Sequence, residues 1–505
     1  MVTIYSFFAK DNFLSKGLVE LEVIRADFCK IKTIEVGAFN GLPQLTELSM
    51  NSNEITEITP GTFEKLSHLE YINLAHNRIE HLGFDVFYGL VNLKHIFLQG
   101  NKLQYVHPNT FKGLQNLRRL LLSNNSGLQM PTHRQFINSL SLKKLAISGC
   151  NINSVSVDTL TNVTALELLD LSNNYLRSLD FNILKVLPEL THLHLRINEI
   201  IEITPVTCEK ISPLEYLSLK YNMIEHLEID VFCGLVNLKY IYLQGNNLKY
   251  LHPNMFIGLP NLQALFLSNN YGLQMPTDRH FINSLSLKLL AISACNISSV
   301  SVDTFAKVAT LESLDLSYNN LRSLDIKILK LLPKLSHLYL ESNKISEIIS
   351  GTCEKIRPLE YLSLEYNMIE NLEIDVFCGL VNLKYIYLQG NNLQYLHPDT
   401  FIGLPNLQHL FLSNNSGLQI PTHRRFINSL SLKILLISAC NISSVSVDTF
   451  ANVTALEHLD LSYNYLRSLD IKILKVLPNI SHLYLGSNKI SEITPGTCEK
   501  ISLLE

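Results

Sequence analysis

The sequence contains no tryptophan, and only 17% of its 505 residues are charged. Its 41 basic and 45 acidic residues give a formal net charge of −4, so it lacks the basic surplus that attracts nucleic acid or anionic lipid. No apolar run approaches the roughly 18 residues of a membrane-spanning helix. Residues 1–9 lack a basic lead-in, and Lys10 and Asp11 cut them too short for a secretory signal. We expect no nucleic-acid partner and no direct membrane insertion by this chain.

Signatures of catalysis are also missing. The sequence has no phosphate-binding loop, nucleophile elbow or clustered metal-ligand pattern. His192 and His194 would share a strand face beside Asp170, but the equivalents of His194 in later copies are Tyr339 and Tyr484. This change favours a solvated strand face over a metal site. Because almost every polar feature occurs two or three times, whereas an active site needs a unique constellation, we expect no enzyme, no catalytic residue, no metal and no cofactor.

What the sequence does have is a repeat. From Leu45 it reads LTELSMNSNEITEITPGTFEKLSH and from Leu69 LEYINLAHNRIEHLGFDVFYGLVN, so the template L-x-x-L-x-L-x-x-N-x-L returns after 24 residues. Twenty consecutive repeats begin between Leu21 and Ile480, seventeen of 24 residues and three of 25. We number positions within each repeat from its first leucine. Hydrophobic residues make up 47% of the chain, which is enough for a continuous core and excludes disorder as a description of the whole.

Each repeat is expected to supply one short strand, because buried positions 4 and 6 alternate with exposed neighbours. Successive strands run in the same direction and are joined by about 18 residues, which requires a parallel sheet. The predicted fold class is an α/β solenoid with a concave parallel sheet of about 20 strands. Its convex side would carry loops, short 3-10 turns and short helices. A single repeat cannot bury its own leucines, so folding requires stacked neighbours.

A longer period of 145 residues overlies the short one. The segments 69–213, 214–358 and 359–503 are three copies of a six-repeat unit inside one predicted domain, residues 21–503. Residues 1–20 are interpreted as a degenerate or partial repeat, and residues 504–505 as the start of a further, truncated repeat. We therefore expect a fragment whose uncovered edge around Ile480 offers a surface for self-association.

Position 9 predicts a buried polar ladder. It carries Asn in sixteen repeats and Cys in four, beginning with Cys29. A buried amide at this turn can donate to and accept from adjacent coils, and Cys is a compact substitute with a weak S–H donor. The remaining ladder residues are Asn53, Asn77, Asn101, Asn125, Cys150, Asn174, Asn198, Asn222, Asn246, Asn270, Cys295, Asn319, Asn343, Asn367, Asn391, Asn415, Cys440, Asn464 and Asn488.

Five further cysteines occupy positions 19 and 20, where earlier repeats have aromatic residues. Bridges between neighbouring coils, Cys208 to Cys233 and Cys353 to Cys378, are geometrically conceivable. Because the repeat register explains every cysteine as a packed side chain, free thiols are the preferred interpretation.

Partner-binding residues are expected at positions 2, 3, 5, 7 and 8, which line the concave face. Exposed aromatic side chains are enriched at interface hot spots, although cross-strand aromatic pairs can also serve only to stabilise a sheet. Glu–Lys pairs at position 2 are interpreted as register-setting. The position-5 residues Asp170, Asp315 and Asp460 are interpreted as hydrogen-bonding a ligand or, for Asp315 and Asp460, the neighbouring Tyr339 and Tyr484. Patch A comprises Tyr216, Tyr221, Tyr240, Tyr242 and Phe266, and patch B comprises Tyr361, Tyr366, Tyr385, Tyr387, His409 and Phe411.

The repeat LKYIYLQGNNLKYLHPNMFIGLPN, residues 238–261, resembles the typical-class leucine-rich repeats of animal extracellular proteins, the group of Toll-like receptor ectodomains, Slit and chaoptin-like adhesion proteins. The resemblance extends over residues 21–503. It implies a horseshoe-shaped module at the cell surface or in the extracellular space. The function it implies is binding of a protein ligand or receptor in recognition, adhesion or immune-type sensing. The alternative is a structural or self-associating scaffold without a specific ligand.

Overall fold

The structure is a computed structural model that describes residues 19–131, 134–205, 213–276, 280–349, 358–421 and 424–494. It divides into two compact units, Met1–Asn247 with Met255–Leu262, and Leu248–Asn254 with Gln263–Glu505. The interpretations of residues 1–18 and 504–505 fall outside the described residues. The single domain over residues 21–503 stays a prediction.

The described part of the first unit contains a ladder of ten parallel strands at positions 3 to 5 of successive repeats. Paired residues are one repeat apart, as in Tyr71 with His95 and Ile72 with Ile96. The strands are Val23–Arg25, Glu47–Ser49, Tyr71–Asn73, His95–Phe97, Arg119–Leu121, Lys144–Ala146, Leu168–Asp170, His192–His194, Tyr216–Ser218 and Tyr240–Tyr242.

The described part of the second unit contains a ladder of the same kind. Tyr361 pairs with Tyr385, and Tyr385 pairs with His409. Its ten strands are Ala264–Phe266, Leu289–Ala291, Ser313–Asp315, His337–Tyr339, Tyr361–Ser363, Tyr385–Tyr387, His409–Phe411, Ile434–Leu436, His458–Asp460 and His482–Tyr484. The predicted parallel solenoid of about 20 strands, one per repeat, is confirmed.

The alternation of burial along each strand separates a core face from an outer face. Ile72 and Leu74 are fully buried, whereas their neighbours Tyr71 and Asn73 are only half-buried. Leucine and isoleucine at positions 4 and 6 therefore form the core of each unit, where close packing stabilises stacked coils. We call the opposite side, which carries positions 2, 3, 5, 7 and 8, the ladder face.

The return segments carry little regular structure, in keeping with the predicted loops and short turns. They contain short parallel strand pairs, one four-residue helix and several 3-10 turns. The strands are Glu57–Ile58, His81–Leu82, Tyr105–Val106, Ser178–Asp180, Glu202–Thr204, Ser323–Asp325, Glu347–Ile349, Ser468–Asp470 and Glu492–Thr494. The helix is Ile183–Val186, and the 3-10 turns are Val157–Leu160, Val302–Phe305, Ile326–Leu331, Val447–Phe450 and Ile471–Val476.

A column of phenylalanine rings lies on the return side. The Phe63 and Phe87 rings stack with their centroids 6.3 Å apart, and Phe87 and Phe111 follow at 5.8 Å. All three side chains are 1% exposed or less. Each ring thus packs on the ring of the next coil, which adds dispersion and stacking energy between repeats.

The asparagine at position 9 links its own coil to the one before. Asn77 Oδ1 accepts a hydrogen bond from Ile55 N at 3.0 Å, and its Nδ2 donates to Met50 O at 2.9 Å and Leu74 O at 3.1 Å. The same pattern recurs at Asn198 and Asn391. Each side chain therefore satisfies backbone groups that the turn leaves without strand partners.

Cysteine replaces asparagine in this ladder without losing all of the bonding. Cys150 Sγ donates to Leu122 O at 3.3 Å, and Cys150 N donates to Asn174 Oδ1 of the following coil. Cys29, Cys150, Cys295 and Cys440 are free thiols.

The preference for free thiols is wrong at two other cysteines, since Cys233 and Cys378 are disulfide-bonded. Neighbouring coils are about 5 Å apart, a separation within the Cα distance range of a disulfide, so register alone does not decide between thiol and bridge. Cys208, Cys353 and Cys498 lie outside the described residues, and the bridges Cys208–Cys233 and Cys353–Cys378 stay the alternative that the sequence leaves open.

Candidate functional site

Patch B lies on the ladder face of the second unit, where its rings pack across strands. The Tyr361 and Tyr387 centroids are 4.9 Å apart, Tyr385 and His409 are 4.7 Å apart, and Tyr387 stacks on Phe411 at 4.5 Å. These five side chains are half-buried. The sequence-predicted residues of patch B on these strands therefore form one continuous aromatic surface, on which each ring holds its neighbour in place.

The residues of patch A are divided between the units. In the first unit, Tyr216 lies 4.9 Å from Tyr242 and 4.8 Å from His194, measured between ring centroids. Tyr240 occupies the same strand as Tyr242 and is 37% exposed. Phe266 is half-buried on strand Ala264–Phe266 of the second unit. The structure thus brings Tyr216 and Tyr242 together and adds His194.

Tyr221 and Tyr366 occupy position 8, directly after the strand, and have a left-handed backbone with φ of 55° and 53°. Tyrosine rarely adopts this conformation. Position 8 has a positive φ in one repeat after another, which indicates that the turn after the strand requires it. The Tyr366 ring covers Gly390 of the next coil, where an added Cβ would lie 2.5 Å from the ring. Tyr366 remains 57% exposed and Tyr221 47% exposed, so both rings are available to a partner.

Position 7 distinguishes the two patches by charge. Beside patch A it carries Arg196 and Lys220, and beside patch B it carries Glu341 and Glu365. The Arg196 guanidinium lies 5.5 Å from the Tyr221 ring centroid, a cation–π geometry. Position 7 belongs to the predicted partner-binding face, but none of these four residues is among the predicted contact residues. Comparing the 145-residue copies with each other would have revealed the reversal of charge.

Burial alters the protonation of groups on the ladder face. It raises the pKa of Glu341 and of Glu365, and the Glu341 charge raises the pKa of Glu365 further. Burial also lowers the pKa of Lys220, as does the nearby Arg196 charge. In each case desolvation disfavours the charged form, so all three charges are incompletely stabilised in the unbound chain.

The ladder face also carries regular polar pairs. Lys94 with Glu70, Lys239 with Glu215 and Lys384 with Glu360 form ion pairs between adjacent strands, with N–O distances of 2.7 to 2.8 Å. These pairs are partly exposed, and each contributes little stability. They suit the register-setting role expected of position 2.

The aspartates at position 5 have a local role. Asp315 Oδ1 accepts hydrogen bonds from the backbone N of Ser317 at 2.9 Å and from its hydroxyl at 2.6 Å. Asp460 bonds Ser462 in the same way, and Asp170 accepts from Ser172 N. These carboxylates therefore stabilise the turn after their own strands.

His192 and His194 stack with centroids 6.4 Å apart, and both rings also pack against Tyr216. Burial lowers the pKa of His194 even though the Asp170 charge opposes this shift. Over the described ranges, no three His, Cys, Asp or Glu side chains are grouped to hold a metal ion. In the same residues no helix combines the length and apolar character that crossing a bilayer requires.

Stacked parallel strands, leucines in the core and the asparagine ladder define a leucine-rich-repeat protein, and the chain belongs to the leucine-rich-repeat family. The family model "Leucine rich repeat" matches residues 20–79, 67–126, 141–200, 188–248, 212–271, 286–345, 357–416 and 431–490. The resemblance to leucine-rich-repeat proteins of the extracellular type is confirmed.

Bovine osteomodulin is similar to this chain, with 30% identity over 215 residues, or 38% of this chain and 49% of osteomodulin. The chain thus spans about half the length of the curated relatives it matches. A leucine-rich-repeat protein of Leptospira interrogans is 20% identical over 92% of this chain and 95% of its own, with a TM-score of 0.55. The Drosophila Toll–Spatzle complex is 18% identical over 94% of this chain and 58% of its own, with a TM-score of 0.53. These two likenesses establish the fold.

Proposed function

We propose that this chain is a non-catalytic recognition module that binds a protein ligand or receptor on its ladder face. The observation that carries the proposal is the continuous aromatic surface of patch B. Rings such as Tyr387 and Phe411 pack on each other and still expose part of their surface, so little conformational entropy is lost when a partner covers them. Positions 4, 6 and 9 are committed to packing in the core, which leaves recognition to positions 2, 3, 5, 7 and 8.

We place this function at the cell surface or in the extracellular space, in recognition, adhesion or immune-type sensing. The disulfide-bonded Cys233 and Cys378 support an oxidising compartment, because structural disulfides persist there and are rare in the cytosol. The similar Drosophila structure contains Toll in a complex with Spatzle. By analogy, we propose that the partner of this chain is a protein.

The test compares variants of the full chain. Binders purified from extracellular fluid of the source tissue are measured by surface plasmon resonance against wild type and Y385S/Y387S. We expect the double substitution to weaken binding by at least about 100-fold, since each lost aromatic hot spot costs roughly 2 kcal/mol. The control Y88S/Y271S removes two tyrosines that are 73% and 68% exposed and lie outside the strands of the ladder face.

Circular dichroism should be identical for all variants. Equal binding by wild type and Y385S/Y387S would show that patch B is not the recognition surface. Concentration-dependent assembly of wild type, without any binder that depends on the ladder face, would instead support the scaffold alternative.

A further inference from the structure

The two patches occupy the same positions in copies 145 residues apart, but their charges are reversed. Arg196 corresponds to Glu341 and Lys220 to Glu365, whereas the rings are retained, with Tyr216 matching Tyr361, Tyr221 matching Tyr366 and Tyr242 matching Tyr387. The two patches therefore share a similar set of aromatic rings and differ in the sign of the charge at position 7.

Beside patch A the chain supplies its own cations. Lys220 Nζ lies 4.3 Å from the centroid of the Tyr242 ring, and Arg196 covers Tyr221. An ammonium over a tyrosine face is attracted by the negative quadrupole of the ring. This aromatic surface is thus already occupied by cationic groups of the same chain.

Beside patch B the same places hold carboxylates whose bonding is incomplete. Glu341 Oε2 is buried and has no hydrogen-bond partner. Among the described residues, no lysine or arginine forms an ion pair with Glu341 or Glu365. Gln389 Nε2 donates to Glu365 Oε2, but Gln389 Oε1 is itself buried without a partner. A buried acceptor without a donor costs free energy that a bound cation would recover.

Ser363 lies on the central strand of the patch beside both carboxylates. The residue is 1% exposed, and its hydroxyl interacts with both Glu341 and Glu365. A hydroxyl has one proton to donate, so it can satisfy only one of the two carboxylates at a time. Its counterpart Ser218, on the strand of Tyr216, interacts with the Tyr216 hydroxyl instead. The reversal of charge therefore leaves carboxylate oxygens with unused acceptor capacity.

We propose that this surface binds the ammonium or guanidinium group of a lysine or arginine side chain presented by a protein partner. This inference rests on the proposed function and specifies the partner's chemistry. The cation would pair with the Glu365 carboxylate and lie over the Tyr387 ring, at the place where Lys220 lies over Tyr242 in the earlier copy. Its donors match the unsatisfied acceptors, and its charge offsets the repulsion between the carboxylates. The binding surface consists of Tyr339, Glu341, Tyr361, Ser363, Glu365 and Tyr387.

The probe is a short synthetic peptide of alternating glycine and lysine, compared with the same peptide carrying acetyl-lysine. Calorimetry on the full chain should show binding of the lysine peptide only. We expect E341Q/E365Q to weaken this binding by about tenfold or more, since it removes both charge-assisted acceptors. The matched control E312Q/E457Q removes two carboxylates that are already paired with Lys288 and Lys433. Its binding should equal that of wild type.

A second variant supplies the cation from within the chain. E365K reproduces the arrangement of Lys220, so it should fold normally and lose peptide binding because Tyr387 is then already covered. Equal affinity in E341Q/E365Q and wild type would overturn the proposal, and so would equal loss in E312Q/E457Q, which would indicate unspecific attraction. Failure of wild type to bind the lysine peptide would also overturn it.

The test of the cation site can fail independently of the test of the recognition face. If Y385S/Y387S loses the natural binder while E341Q/E365Q retains it, the recognition face stands and the cation site is refuted. If the chain instead dimerises and R196Q/K220Q abolishes the dimer, the occupant is a second copy of the chain, which overturns the assignment to a partner protein.

Discussion

Lys220 Nζ lies 4.3 Å from the centroid of the Tyr242 ring, and 145 residues later Glu365 stands at the equivalent position beside Tyr387. The rings are kept while the charge changes sign. The core of a repeat and its ladder face can therefore change independently, because positions 4, 6 and 9 carry the packing. Two similar surfaces of one chain thus carry opposite charges at position 7.

The contact between Lys220 and Tyr242 can be measured with a double-mutant cycle. Lys220→Met and Tyr242→Leu, singly and together, should give a coupling free energy of about 0.5 to 1 kcal/mol, as expected of a partly exposed cation–π pair. Chemical denaturation of the four proteins provides the four free energies of unfolding. Strict additivity would mean that the two side chains are neighbours without a stabilising interaction.

Removing one ladder amide should be costly. Asn198→Ala leaves Leu176 N without its acceptor and two carbonyl groups without their donor, and a buried orphaned group costs about 1 to 3 kcal/mol. We expect a loss of at least about 2 kcal/mol in the free energy of unfolding. Asn153→Ala, at an exposed residue, is the control and should change stability by less than about 0.5 kcal/mol. Similar losses for both substitutions would refute a special role for position 9.

The phenylalanine column predicts a contrast between adjacent residues. Phe87→Ala removes a ring that is 1% exposed and contacts two neighbouring rings, so we expect a loss of about 3 to 5 kcal/mol. Tyr88→Ala removes a side chain that is 73% exposed and should alter stability by less than about 0.5 kcal/mol. Thermal unfolding monitored by circular dichroism gives both values. A small effect of Phe87→Ala would mean that the coils relax into the vacated space.

Thiol reactivity should follow burial. Desolvation raises the pKa of Cys150, Cys295 and Cys440 to about 11, and all three are fully buried, so little reactive thiolate forms near neutral pH. Cys29 is only half-buried. Iodoacetamide applied to the folded chain should label Cys29 and spare the other three until denaturant is added, as read by peptide mass spectrometry. Labelling of Cys295 in the folded state would indicate that this coil opens.

The Glu341 and Glu365 pair should give a characteristic pH dependence. Because burial raises the folded pKa of both above 4.5, the folded state binds protons before the unfolded state does as pH falls. The contribution of the pair to stability therefore rises on acidification and is lost as pH rises through the folded pKa. E341Q/E365Q should be more stable than wild type at pH 7, and the difference in Tm should shrink at about pH 5. A difference independent of pH would contradict this expectation.

The periodic pattern was sufficient to predict the strands because burial at positions 4 and 6 is dictated by spacing. Ile72 and Leu74 are buried and Tyr71 faces outward, as the alternation requires. The ladder position of Tyr385 and Tyr387 follows from the same register. Whether Cys233 is a free thiol or part of a disulfide does not follow from the register, because a bridge depends on the distance between coils. The environment of Glu341 does not follow from the register either, because the hydrogen bonding of its carboxylate depends on the side chains around it on neighbouring strands.

The asparagine bonds give the array a direction. Asn77 and Asn101 each satisfy groups of the preceding coil, Ile55 N with Met50 O and Ile79 N with Leu74 O, so every coil relies on its successor to complete its own turn. Loss of the asparagine from one coil therefore leaves backbone groups of the preceding coil without hydrogen-bond partners. Any whole number of coils can be inserted without interrupting these hydrogen bonds. The position-9 asparagine of each inserted coil bonds backbone groups of the coil before it, and the asparagine of the following coil bonds the inserted coil. Growth by duplicating blocks of six coils, the step that separates Arg196 from Glu341, leaves the architecture intact while new surfaces evolve.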